Sequence, residues 1–386
     1  MAYAPDETDA AIAENVARIA RSHFADLDAR FENDKTAGAE ALRRLAQYKL
    51  LGLNLPPEHG GQGLNHFQAA LCLEEMAKVS PDCALFMAAA SLGQSYYILG
   101  FGTPAQQARY LPRICAGDYT VAIGITEPGA GTAATAMTTR IRRDGDRLII
   151  NGRKHYVSNG GQAGLFVVYG RMDDIPGAKG IGAVLVERDT PGFTIDRWSE
   201  NMAGGHQADL LFEDCAIAAD QMLVGPGGFA RLTHCYNLER LGGAACMLGI
   251  AQGAFDKALA HVQERRQFNR ALVEFQAVQL KLADMAMPLE AARLMIQRAL
   301  ARDPMGYPTP MDASMCKVFT LETAKMVTDT AIQLLGGAGY LKEGGVERRY
   351  RYVRGFAIAG GPLDIHRTMI AGWLAGQRFS QWAPRA

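Results

Sequence analysis

YTVAIGITEPGAGTAATAMTTR, Tyr119–Arg140, is where the chain changes character. Upstream of it, apolar residues recur at helical spacing; downstream, to about Leu223, short β-type runs take over, separated by Gly, Asp, Pro or Asn. YTVAIGI, DRLIING, GLFVVYGR, IGAVLVER and LLFED are such runs, and DG at 144–145, NG at 151–152 and PG at 191–192 punctuate them. Within the quoted stretch, the glycines of TEPGAGT let the main chain approach a flat ligand and present N–H groups to it. Thr126 and Thr132 add hydroxyls. A Gly-rich hairpin between strands accounts for the same letters without a ligand.

Working outward, Ile12, Val16, Ile19, Phe24 and Leu27 mark helix within residues 8–50. After the loop LNLPPEHGGQGLN, Phe67–Leu99 reads as one or two buried helices, and Pro104 opens a short one. Beyond GPGGF, 225–229, the chain returns to long helices. One runs from about Leu232 to Phe268. A second follows, with a kink or break expected at Pro288. A third covers Pro310 to Leu335, and a fourth begins near Asp364. The reading is an α+β multidomain protein. It comprises an N-terminal helical domain (1–118), a middle β-barrel or sandwich domain (119–225) and a C-terminal four-helix bundle (226–386).

The bulk numbers narrow the function. A chain of 386 residues is long enough for two or three domains. Lys+Arg and Asp+Glu number 40 each, so net charge gives no pull toward nucleic acid or an anionic membrane. The acidic start MAYAPDETDAAIAENV is not a signal peptide, and no run of about 18 uninterrupted apolar residues spans a bilayer. Seven scattered cysteines without CxxC suit reduced thiols in a cytoplasm rather than a disulfide framework or a zinc site. No GxGxxG follows a strand in a βαβ unit, so NAD(P) is not implied.

Four stretches in order carry a resemblance: GITEPGAGTAATAMTTR (124–140), INGRKHYVSNGG (150–161), HVQERRQFNRALVEFQAVQLKLADMA (261–286) and AIQLLGGAGY (331–340). Together they resemble the flavin-dependent acyl-CoA dehydrogenase family, over roughly residues 10–378. The resemblance implies FAD and the oxidation of an acyl thioester across its α,β bond. It gives Ile123, Ile125, Thr126, Gly131 and Thr132 to the flavin, with Thr132 also near the acyl carrier. Tyr156 stands where an aromatic covers the flavin, and Ser158 where a hydroxyl bonds near N5. Arg265, Phe268, Gln333, Gly336 and Gly337 are implied to reach the pyrophosphate and adenine end of FAD in a neighbouring subunit. A homo-oligomer, as a tetramer, follows, and an electron-transfer flavoprotein is the implied electron acceptor. Without the resemblance, Glu264–Arg265–Arg266 is a solvated cluster and QLLGGAG a helix stopped by glycines.

The family's tail carboxylate is missing. In IAGGPLDIHR, Ile358–Arg367, Gly360 stands where the base belongs. Its main-chain N–H is still expected to be able to donate to the thioester oxygen, because a backbone donor does not depend on the side chain. Isovaleryl- and long-chain-type members place the base on the long helix instead, and NLERLGGAACMLG puts Glu239 there, followed by Arg240. Gly242 and Gly243 share the Glu239 face, which suggests an open shelf for a substrate; close helix packing explains the same pair. Asp364 and His366 are the rival bases.

Thr132-Ala133, Arg351-Tyr352-Val353-Arg354 and SENMAGGHQADLLFED depart from the family pattern. They keep open an acyl-carrier-protein thioester, a flavoenzyme that expels a β substituent, and a non-catalytic flavin-binding protein. The uncharged segment 84–100 is implied to line the acyl pocket.

Overall fold

The structure, a computed structural model, describes residues 5–172, 175–377 and 379. The outer limits of the expected terminal domains, 1 and 386, the end of the family likeness at 378 and the first residues of the acidic start lie outside the described residues.

Seven helices come first: α1 (Glu7–His23), α2 (Ala25–Asp28), α3 (Ala37–Gln47), α4 (His66–Val79), α5 (Pro81–Ala90), α6 (Ser95–Phe101) and α7 (Pro104–Cys115). The sequence marks their starts. Asp6, Asn65 and Thr103 close capping boxes on α1, α4 and α7, each satisfying main-chain donors that a first turn leaves unpaired. Pro81 and Pro104 sit in first turns, where no donor is missed. Phe67–Leu99 forms parts of three helices rather than one or two, because Ser91–Gln94 breaks the apolar run. Pro81–Phe101 has the length and hydropathy of a membrane span, but 67% of that stretch is buried in the protein.

Eight strands follow: β1 (Val121–Gly124), β2 (Arg140–Asp144), β3 (Arg147–Ser158), β4 (Leu165–Met172), β5 (Ile181–Glu187), β6 (Phe193–Glu200), β7 (His206–Ala218) and β8 (Met222–Val224). They make one mixed sheet in the order β6-β7-β3-β2-β4-β5-β8, with β1 parallel to β4. β4 is buried on both faces. Leu165, Val167 and Tyr169 join the main core with the helices, while Phe166 and Val168 join a second core made mostly by strands. The two-residue period of a strand thus ties the sheet to the helical domains and lets it enclose its own interior.

The C-terminal part begins with the 36-residue α8 (Phe229–Glu264). A hairpin, β9 (Arg266–Gln267) and β10 (Arg270–Ala271), separates it from α9 (Gln276–Ala301), which is followed by α10 (Pro310–Leu335), α11 (Gly337–Tyr340), α12 (Val346–Phe356) and α13 (Leu363–Leu374). α8 packs on α4, α9 and α10. It crosses α4 so closely that a Cβ at Gly249 would lie 2.2 Å from the Glu74 carbonyl oxygen, and one at Gly253 2.4 Å from that of Lys78. Three expectations are corrected. α8 ends at Glu264, and Phe268 and Asn269, at φ 50° and 64°, turn the hairpin. α9 runs unbroken through Pro288, and the carbonyl its ring deprives of a donor belongs to the exposed Asp284. α12 was not anticipated, because its buried face carries Arg348 and Arg349.

Candidate active site

Two groups of residues face outward from rigid elements, and a third lies between helices. The first group is the loop after β1 laid against β3. The His155 N–H donates to the Thr126 carbonyl at 2.8 Å, which joins the two. Beneath them is a buried ion pair. Lys154 Nζ donates to Glu127 Oε1 at 2.7 Å and to the Ile125 carbonyl at 3.2 Å. Glu127 also accepts from the Thr138 N–H and hydroxyl and from the Thr139 N–H, at 2.6, 2.9 and 2.9 Å. Lys154 and these donors hold the Glu127 carboxyl down, at about 2. Above this base, Val157 is buried while Tyr156 and Ser158 are exposed, Tyr156 at 64%. The bulge in β3 sets Tyr156 at φ 56°. Ser158 Oγ accepts from Gln207 Nε2 at 3.3 Å. A Cβ at Gly129 or Gly131 would meet nothing within 4 Å. Thr126 and Ile125 are thus bonded to the strand that carries the exposed Tyr156 and Ser158, Ile123 and Ile125 pack half-buried on the main core, and Gly131 and Thr132 follow on the open loop; the exposed part, an open platform with one projecting aromatic, fits a flat ring system.

The second group lines a groove of about 410 Å³ between the ends of α8 and α10, including His261, Arg265, Gly336 and Gly337. The guanidinium of the exposed Arg265 has no hydrogen bond or ion pair among the described residues, and a Cβ at Gly336 or Gly337 would meet nothing within 4 Å. An unpaired guanidinium beside bare main chain fits a pyrophosphate. Phe268 projects from the hairpin at 88% exposure, and Gln333 is exposed one turn before the glycines. Among the described residues, no hydrogen bond or ring contact joins this group to the platform.

The third group surrounds Glu239 on α8. Gln94, between α5 and α6, donates from Nε2 to Glu239 Oε1 at 3.2 Å, and Oε2 is shut from solvent with no partner. Burial pushes the carboxyl up to about 8, against the pull of the Arg240 and Lys317 cations. Next to it the segment 359–361 turns through two glycines, at φ 68° and 95°. Arg240 Nε donates to the Gly360 carbonyl at 3.1 Å, and Lys317 Nζ donates to the Ala359 carbonyl and, at 2.9 Å, to that of Gly361. His366 is fully buried, its ring between Ser314 Oγ at 3.1 Å and the Gly360 carbonyl at 3.3 Å; burial lowers it to about 3. Asp364 is 92% exposed at its side chain and faces Arg367. Of the three base candidates, Glu239 alone joins shelter with an unpartnered oxygen. The expected open shelf is absent. A Cβ at Gly242 would come 3.0 Å from Leu92 Cβ, and one at Gly243 3.3 Å from the Phe356 ring, so the pair serves packing.

Gln94 and Lys317 escaped the sequence reading. Gln94 lies 145 residues from its partner and has no local signal. Lys317 had one: it falls on the buried stripe of α10 with Ala313, Cys316, Leu321 and Ala324, where a charge is out of place.

Helices on either side of one mixed sheet in chain order, a surface that fits a flat ring and a groove that fits a pyrophosphate together suit a protein that binds a flavin dinucleotide. Family models for the acyl-CoA dehydrogenase N-terminal, middle and C-terminal domains match residues 6–118, 122–215 and 226–375. The chain belongs to the acyl-CoA dehydrogenase family, whose cofactor is FAD. A 3-sulfinopropanoyl-CoA desulfinase of Paraburkholderia xenovorans is 40% identical, over 89% of this chain and 88% of that protein. The human mitochondrial short-chain specific acyl-CoA dehydrogenase is 34% identical, over 95% and 90%. A solved glutaryl-CoA dehydrogenase from Mycobacterium smegmatis, in complex with FADH2, superposes with a TM-score of 0.89 at 25% identity, covering 98% of this chain and 97% of that one.

Proposed function

We propose that the protein oxidises an acyl-CoA thioester to its 2-enoyl thioester, with Glu239 as the base that removes the α proton. The observation that carries this is Glu239 Oε2, sheltered and unpartnered, on the residue that precedes Arg240, whose Nε bonds the Gly360 carbonyl. Gln94 fixes the carboxyl through its other oxygen, leaving Oε2 for the substrate. The Gly360 N–H donates to the thioester oxygen, where negative charge grows as the proton leaves. FAD, when bound, supplies the acceptor for the hydride from the β carbon. Tyr156 would lie against the flavin and Ser158 would offer it a hydroxyl. Arg265, Phe268, Gln333, Gly336 and Gly337 would hold the FAD of a neighbouring protomer. Leu280, Met287 and Leu294 on α9 and Trp373 and Leu374 on α13 are exposed apolar side chains, which supports burial in a homotetramer. An electron-transfer flavoprotein accepts the electrons, and seven free, buried cysteines support a cytoplasmic setting. The test is product analysis after anaerobic mixing with acyl-CoA esters. The 2-enoyl thioester, two hydrogens lighter, is expected in step with flavin bleaching; bleaching without it would overturn the reading.

A second reading rests on Arg240 and Lys317 beside Gly360. Arg240, and Lys317 when protonated (burial and then the Arg240 charge lower it to about 7), fit an anionic group on C3, such as the sulfino group named in the P. xenovorans relative. Release of that group from 3-sulfinopropanoyl-CoA without net bleaching would favour it.

A further inference from the structure

Two glycines in succession are the least constrained main chain a protein can place beside a reaction centre. Here they are held firmly. Three consecutive carbonyls, 359 to 361, receive side-chain hydrogen bonds: Lys317 Nζ bonds the outer two, and Arg240 Nε and His366 Nε2 bond the middle one. The donors come from α8, α10 and α13, so the turn is held from three helices. The N–H groups of Gly360 and Gly361 donate to nothing among the described residues. Lys317 is 4% exposed, and its Nζ lies 3.0 Å from where a Cβ at residue 360 would begin. The amine therefore occupies the start of the path that a side chain at 360 would take. A side chain there would press on this amine, which would have to give by a few tenths of an ångström and shift from its carbonyl partners.

We propose that Lys317 is a positioning residue that replaces, in structure, the missing carboxylate at 360: it locks the Gly360–Gly361 turn so that its free N–H groups form a fixed donor pair for the thioester oxygen. This deepens the reading of Glu239 as base and rests on it. The roles are divided. Glu239 moves the proton, and Lys317 acts only through the turn. His366, neutral in its hydrogen-bonded site, and Arg240 hold the middle carbonyl and keep the peptide planes from rotating.

The test uses the FAD-loaded enzyme and 3-(2-furyl)acryloyl-CoA, whose absorbance moves to the red when its carbonyl is polarised. Wild type and Glu239→Gln should give the same red shift on binding, since the glutamine variant keeps the donors. Lys317→Met should lose most of the shift while retaining flavin and melting behaviour. Its limiting rate of flavin reduction by an oxidisable acyl-CoA should fall about tenfold to a hundredfold. If Lys317→Met loads no flavin, Lys317→Gln, which keeps an N–H donor one atom shorter, should give an intermediate shift. A full red shift in the loaded lysine variant, or none in wild type, would overturn the proposal. Unimpaired flavin reduction in Glu239→Gln would instead overturn the base assignment, a separate failure.

Discussion

Glu239 shows how one residue's surroundings set its chemistry. A carboxyl pushed up to about 8 by burial is protonated at neutral pH, so its capacity as a base grows as pH rises. The rate of flavin reduction by an acyl-CoA should climb through pH 8 and then level, as read by stopped-flow absorbance. The same shift acts on stability. Between the unfolded carboxyl value, about 4.5, and about 8, the folded state holds a proton that the unfolded chain has released. Folding stability from this group is therefore greatest below the unfolded value and is lost as pH rises. Glu239→Gln should gain in melting temperature over wild type progressively from pH 5 to pH 8. A constant difference across that range would mean that the site does not raise the carboxyl. At Gly360, φ is 68°, a conformation that strains any side chain, and a Cβ would press on Lys317 Nζ at 3.0 Å. Gly360→Glu should accordingly fail to restore a tail base in the Glu239→Gln background.

At the scale of elements, the platform depends on the Lys154–Glu127 pair, with side chains 0% and 4% exposed. Breaking a buried pair leaves one charge uncompensated, typically at about 3–5 kcal/mol. Glu127→Gln should lower the denaturant midpoint and the flavin content together. Gly249→Ala pushes α8 away from α4 and should cost about 1–3 kcal/mol in chemical denaturation, with flavin spectra unchanged. The elements themselves were mostly legible in the sequence. The caps at Asp6, Asn65, Thr103 and Thr309 stand one residue ahead of the helices they start, and Gly, Asp and Pro punctuate the strands. What was hidden had physical reasons. Arg348 and Arg349 bury charge through main-chain and carboxylate partners from other helices, which hides the apolar period of α12. The Gly242–Gly243 pair looked like room for a ligand because sequence does not reveal that Leu92 and Phe356 fill it. Glu239 was found through its likeness to a known position. Gln94 and Lys317, which orient it and the adjacent turn, are brought in only by tertiary packing.

For the whole molecule, the exposed apolar residues of α9 and α13 and the separate Arg265 groove are one observation at two places. On the proposed function, both are surfaces that another copy of the chain would cover. Native mass measurement should give a tetramer. Arg265→Ala should keep that mass while weakening FAD retention on gel filtration; loss of the oligomer in this variant would assign Arg265 to assembly instead. The account's central claim is that Glu239 removes the α proton. It is tested most directly by anaerobic titration of wild type and Glu239→Gln, both loaded with FAD, against a panel of acyl-CoA esters, following the oxidised flavin band. The account predicts bleaching in wild type with at least one ester and a rate about 10²–10⁴-fold lower in the variant. Equal bleaching in both proteins would contradict it.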